Sequence, residues 1–186
     1  MKRRYFLQYL LATGLGAAWV GRGHAAAPAG GTNIEALQAK WKALLPVGAA
    51  VPLPTEPLQL SETEWRKRLS PKAFKVLREE GTERAGSSPL NDEKRPGVFA
   101  CAGCGLPLFT SDMKYDSGTG WPSFFTTIPG VFETKIDRTL FAKRTEYHCK
   151  RCGGHQGHVF DDGPAPTHQR WCNNGVALTF LPKSGA

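Results

Sequence analysis

Five cysteines stand in this 186-residue chain, and the spacing of four of them points to one task. Cys101-Ala102-Gly103-Cys104-Gly105 and Cys149-Lys150-Arg151-Cys152-Gly153 are two Cys-x-x-Cys pairs, each trailed by glycine. Each tight turn aims two thiolates at one point, and the glycine lets backbone amides approach the sulfurs. Two such knuckles complete a tetrahedral zinc site with no position left for water, so the metal would be structural. The alternative is disulfides, which a chain in an oxidising compartment can form. Within a knuckle they would be redox-active; between knuckles they would be staples.

The fifth cysteine, Cys172, has Arg170 two residues before it and Asn174 two after. On a strand, alternation puts the three side chains on one face. There the arginine favours thiolate, and the asparagine can donate a hydrogen bond to a substrate oxygen. A buried, inert thiol is the competing reading.

The elements that must position these groups divide the chain in three. Residues 1–27 read as an export signal: a basic head (Lys2, Arg3, Arg4), an uncharged stretch from Tyr5 to Gly21, and the small-residue run Ala25-Ala26-Ala27. Arg3-Arg4-Tyr5-Phe6-Leu7 resembles the twin-arginine motif, which implies export of a folded protein, a bacterial source and a periplasmic destination. The uncharged stretch is short and diluted by Gln8, Thr13, Gly14 and Gly16, so an uncleaved anchor would span a membrane poorly. The net charge of +8 invites a nucleic-acid or membrane reading. Four of those positive charges fall in residues 1–27, which carry no acid, so the remainder keeps +4.

Residues 28–60 read as a tether. Asn33 caps a short amphipathic helix with Ile34, Leu37, Trp41 and Leu44-Leu45 on its apolar face, and Pro46, Pro52, Pro54 and Pro57 favour extended chain. Residues 61–186 form the domain. Ser61-Glu62-Thr63-Glu64 has capping-box spacing, and Ser70-Pro71 starts a second helix that runs to Gly81. Beyond it, short runs alternate with Gly and Pro: Val98-Phe99-Ala100, Pro107-Leu108-Phe109, Val131-Phe132, Leu140-Phe141-Ala142, His158-Val159-Phe160 and Val176–Phe180. They predict an antiparallel sheet system, so the fold class is mainly β with N-terminal helices, α+β.

From roughly Ser61 to Phe180 the chain resembles the peptide-methionine (R)-S-oxide reductases, the B-type methionine sulfoxide reductases. The resemblance rests on Gly81-Thr82-Glu83-Arg84, Lys114–Gly118, Gly120-Trp121-Pro122-Ser123-Phe124, Gly154–Pro164 and Arg170-Trp171-Cys172-Asn173-Asn174, all in order. It implies two antiparallel sheets, a structural zinc on Cys101, Cys104, Cys149 and Cys152, and reduction of methionine-R-sulfoxide in oxidised proteins. Carried over residue by residue, Cys172 attacks the sulfoxide sulfur. Trp121 faces the substrate methyl group, and Phe124 joins it in substrate binding. His155 and His158 supply protons near the oxygen, Asp162 orients a histidine or Arg170, and Asn174 positions the oxygen. No organic cofactor is implied.

Four departures matter. Thr119 stands where many members carry a resolving cysteine, so a one-cysteine enzyme is expected, recycled by a thioredoxin-like protein or a small thiol. Trp171 replaces the usual tyrosine, Gly175 the usual serine and His168 the usual glycine. The segment Ala85–Arg95 also deviates and is expected to reshape the substrate rim. A monomer is expected. Two rivals compete: a zinc-ribbon module binding nucleic acid through Lys143, Arg144, Lys150 and Arg151, which the export signal disfavours, and a disulfide-stapled envelope protein.

Overall fold

The helical starts follow their caps. In the computed structural model, which describes residues 33–138 and 143–185, helix α1 (Ile34–Ala39) begins where Asn33 accepts from Ala36 N at 2.9 Å. Helix α2 (Glu62–Arg68) opens on the complete capping box: Ser61 caps Glu64 N, and the Glu64 carboxylate accepts from Ser61 N at 2.8 Å. Helix α3 (Pro71–Glu79) follows from Ser70 with proline in its first turn, and buries Ala73, Phe74, Val76 and Leu77. Its end differs from the expectation at Gly81. Glu80 takes the left-handed conformation (φ 55°), and Gly81 N returns to Lys75 O at 2.9 Å. A Cβ at Gly81 would lie 2.9 Å from that carbonyl, so glycine is needed there for room. The export signal, residues 28–32 and the run Leu140-Phe141-Ala142 lie outside the described residues.

Two antiparallel sheets follow. The smaller has order β2-β1-β9: β1 (Gly97–Cys101), β2 (Pro107–Thr110) and β9 (Leu178–Pro182). The larger has order β3-β4-β8-β7-β6-β5: β3 (Lys114–Tyr115), β4 (Ser123–Phe124), β5 (Phe132–Asp137), β6 (Arg144–Cys149), β7 (His155–Phe160) and β8 (Arg170–Asn173). The core lies between them. Phe109 of the small sheet stacks on Phe124 of the large one at 3.9 Å, and Phe99 meets Phe124 edge-on at 5.1 Å. Phe132, Tyr147 and Trp171 extend the aromatic layer. Fully burying a ring such as Phe99, Phe109 or Phe124 stabilises by about 1.5–3 kcal/mol.

Strands β1, β2, β7 and β9 lie where the sequence predicts them, although Val176 and Ala177 form a 3-10 turn ahead of β9. Strand β6 and most of β5 do not show in the sequence, and the β5 run Phe-Glu-Thr-Lys-Ile-Asp is largely exposed and lacks a clean apolar alternation. The expected tether is a strap over residues 33–60. Leu37, Trp41, Leu58 and Leu60 pack on the core, Gln38 Nε2 donates to Thr126 Oγ1 at 2.8 Å, and Leu58 N donates to Arg151 O at 2.8 Å. Among the described residues, no helix is long and apolar enough to cross a membrane.

Candidate active site

Strand register assembles the site. Across the large sheet one lateral row reads Ser123, Cys172, His158, Glu146, Lys135, each paired with the next on the neighbouring strand. Side chains in a row share a face, so Cys172 and His158 are adjacent. The row beside it reads Phe124, Trp171, Val159, Thr145, Ile136 and points the other way. This overturns the expectation for Phe124: alternation places it opposite Cys172, and it is fully buried in the core.

Cys172 opens into a cavity of about 250 Å³ lined by Trp121, Thr119, His158, Arg170, Arg144 and Phe160 among others. Arg170 makes a two-pronged ion pair with Asp162, at 2.7 and 2.8 Å, so Asp162 orients the arginine and not a histidine. His158 Nε2 lies 2.9 Å from Asp137 Oδ2, which also holds Arg144 at 2.5 Å. Asp137 has no role in the sequence, and Arg144 figures there only as a possible nucleic-acid contact, because their pairing across the β5–β6 ladder is not visible in the sequence.

Burial pushes the Cys172 thiol above its ordinary pKa. Arg170 pulls it down, as the sequence suggested, and so does a hydrogen bond with Thr119, but desolvation outweighs both. Thr119 is itself held by Ser117, and Ser117 by Ser123, each Oγ pair at 2.8 Å.

His155 departs from its expected place. It does not line the cavity and is 1 % exposed. A bulge at Gln156, where Tyr147 and His148 pair with Gly157 and His155, keeps it on the same face as His158 but moves it one position along the ladder. Asn174 does line the cavity, yet its amide serves the backbone: Oδ1 accepts from Glu83 N at 2.9 Å and Nδ2 donates to Gln156 O at 3.0 Å.

Glu83 was quoted in a motif without a role, and it is a hub. Its carbonyl accepts from Trp121 Nε1 at 3.2 Å, and its carboxylate caps Gly175 N and Val176 N. It thereby ties the indole to the segment after Cys172. The Ala85–Arg95 segment flanks the same rim, with Gly86 N on Gly120 O at 2.7 Å and Asn91 Nδ2 on the same oxygen at 2.9 Å.

Two departures have local causes. His168 sits in the left-handed region (φ 57°), a conformation that glycine adopts without penalty. At Gly175 a Cβ would meet Ser88 Oγ at 1.9 Å, so Ser88 fills the room a side chain there would need. Gly175→Ser is expected to cost about 1–3 kcal/mol, read as a lower urea midpoint, and Ser88→Gly in the same chain should recover part of it. Equal midpoints for Gly175→Ser and the parent would refute the exchange of space.

The four knuckle cysteines converge as a possible metal site. Their sulfurs all lie within 4.8 Å of one another, with Cys101–Cys152 at 3.7 Å and Cys104–Cys149 at 3.5 Å. Sulfurs bound tetrahedrally at about 2.3 Å to one zinc ion stand about 3.8 Å apart, and a disulfide needs about 2.05 Å. The spacing fits the metal, and all five cysteines are free thiols. Gly105 and Gly153, both at positive φ, return their amides to Cys101 O and Cys149 O at 2.8 and 2.7 Å. A buried polar chain leads from this cluster to the neighbour of Cys172. Gln156 Nε2 reaches Cys101 Sγ at 3.4 Å, Asn173 Nδ2 reaches Gln156 Oε1 at 3.3 Å, and Tyr147 OH donates to Asn173 Oδ1 at 2.8 Å.

The SelR domain family model matches residues 69–182. That span holds the cysteine cluster, the cavity and both sheets. The chain belongs to the peptide methionine sulfoxide reductase MsrB family. It is 51% identical over 124 residues to the peptide methionine sulfoxide reductase MsrB of Methanosarcina barkeri, covering 66% of this chain and 87% of that one. It is 46% identical over 123 residues to the Agrobacterium fabrum MsrB, covering 66% and 91%. With the Thiobacillus denitrificans MsrB it shares 47% over 124 residues, covering 66% and 94%. Within this MsrB-family chain the strap over 33–60 precedes the matched region.

Proposed function

We propose that this protein reduces the R epimer of peptidyl methionine sulfoxide to methionine, with Cys172 as nucleophile. The observation that carries the reading is the pairing of Cys172 with His158 on one face, beneath a cavity walled by Trp121. A sulfoxide is a weak electrophile until its oxygen is protonated or strongly hydrogen-bonded, so thiolate attack and proton delivery must coincide. His158, oriented by Asp137, is suited to give that proton, and Arg170, braced by Asp162, to hold the thiolate. Trp121, fixed by Glu83, offers an apolar face to the methyl group. Asn174 shapes the cavity wall and the backbone behind it. The sulfoxide sulfur gains two electrons and leaves as methionine, and its oxygen passes to Cys172 as sulfenic acid.

Thr119 occupies the resolving position, so two equivalents of an external thiol return Cys172 to the thiol and yield one disulfide and water. A thioredoxin-like protein or a small thiol can supply them. The cysteine cluster would hold zinc, which supplies structural cross-linking when bound. We also propose export to the periplasm on the features of residues 1–27, testable by N-terminal sequencing of the protein recovered from that compartment.

Turnover of the two epimers of a peptidyl methionine sulfoxide tests the activity. The R epimer should be consumed and the S epimer left; absence of R turnover defeats the reading.

The cavity also sets a pH dependence. Thiolate forms as pH rises through a Cys172 pKa held above the ordinary cysteine value by burial. In metal-loaded protein, alkylation of Cys172 should therefore rise late with pH. Arg170→Gln removes a positive charge that favours thiolate, so its midpoint should move higher still; a midpoint that stays or falls contradicts the role given to Arg170.

A further inference from the structure

We propose that Glu146, His148 and His155 form a second cation site, separate from the cysteine cluster, for a divalent ion of the zinc class. Among the described residues this is the one other group whose ligand atoms converge, all within 4.8 Å of one another. Glu146 Oε1 lies 2.9 Å from His148 Nε2 and also touches His155 Nδ1. Glu146 Oε1, His148 Nε2 and both ring nitrogens of His155 are buried, and apart from their ion-pair contacts with one another none meets a hydrogen-bond partner in good geometry. Buried polar atoms so poorly satisfied are costly, and a bound ion is one reason a fold retains them.

The tautomer sharpens the point. His148 Nδ1 faces Gly153 O at 3.2 Å, and since a carbonyl can only accept, Nδ1 is the donor there. Nε2, the other ring nitrogen, faces the Glu146 carboxylate oxygen at 2.9 Å. A ring N–H tied to a backbone carbonyl is how metal-binding histidines are commonly oriented. Two imidazoles and one carboxylate are a zinc ligand set with an open position. Ligands on one zinc ion sit about 3.3 Å apart, so loading would part these atoms slightly.

Charge agrees. Lys135 Nζ takes Glu146 Oε2 at 3.3 Å and also pairs with Glu80, so Oε1 is the carboxylate oxygen turned to the two histidines. Glu80, Glu146 and Lys135 together carry one net negative charge. Register explains the convergence: Glu146 and His148 alternate onto one face of β6, and the bulge at Gln156 brings His155 onto the same face. The His155 ring lies 5.6 Å from that of His158, so an ion here would immobilise the neighbour of the cavity histidine.

The test uses the full chain loaded with one zinc on its cysteines, titrated with Co²⁺. Expected is one further equivalent bound, with weak visible d–d bands and no thiolate-to-cobalt charge transfer. His148→Ala should lose that equivalent and keep the cysteine-bound zinc. Glu146→Gln, which preserves shape, should do the same if the alanine variant fails to fold. Absence of a second equivalent in the parent overturns the site, and so does its retention in either variant. The result is independent of the proposed reductase activity, which it neither assumes nor measures.

Discussion

Cys172→Ser should abolish methionine-R-sulfoxide reduction, by on the order of 10⁴-fold or more, the scale on which a lost nucleophile acts. The hydroxyl that replaces the thiol does not ionise in this range and cannot take up the sulfoxide oxygen as sulfenic acid. The fold should survive, because Cys172 is only partly buried and serine nearly preserves its volume. The chemistry predicts a second signature. The parent treated with one equivalent of substrate and no reductant should release one methionine and gain the mass of one oxygen. The serine variant should do neither. A loss of two hydrogens in the parent would mean an internal disulfide and would overturn the one-cysteine cycle that Thr119 implies. Residual turnover above a hundredth of the parent's would move the nucleophile elsewhere.

Cys152→Ser, or removal of metal by a chelator, should unfold the domain. A structural zinc of this type contributes about 10 kcal/mol, and a whole domain is stable by only about 5–15 kcal/mol. The location explains the reach of the effect. Cys101 ends β1 of the small sheet and Cys149 ends β6 of the large one, so the cluster joins the two sheets. Arg78 Nη1 bonds Cys152 O at 2.9 Å, Arg151 Nη1 bonds Cys104 O at 3.1 Å, and the Gln156–Asn173 chain leads on to the strand that carries Cys172. Far-UV circular dichroism and metal content measured together provide the check. A chelated protein that keeps its parent melting temperature would remove zinc from the account of stability.

The legible parts of this protein were local in sequence. Caps at Asn33, Ser61 and Ser70 lie within four residues of the amides they serve, and each knuckle's two cysteines lie within one turn. Alternation around Cys172 was equally readable, and Arg170 and Cys172 do share a face. The strand ends at Asn173, however, and Asn174 turns its amide to the backbone instead. Phe124 and His155 show where one-dimensional reading stops. Phe124 stands in a motif beside Ser123, yet only the pairing with β8 decides which of the two faces Cys172. His155 looks equivalent to His158 until the bulge at Gln156 shifts it along the sheet. Glu83 and Asp137 contact partners that lie far away in sequence or across a ladder, and no spacing rule joins them.

By itself, then, the sequence determined the groups that can react and the turns that hold them: one unpaired cysteine, four cysteines in two knuckles, and the helix starts. The physical reason is that capping, turn geometry and side-chain alternation act over a few residues. Tertiary structure decided which groups meet. Strand register set Cys172 beside His158, burial outweighed Arg170 at the thiol, and the packing of two sheets sent Phe124 inward. These outcomes depend on pairings between distant segments, and on desolvation that exists only once the core has closed.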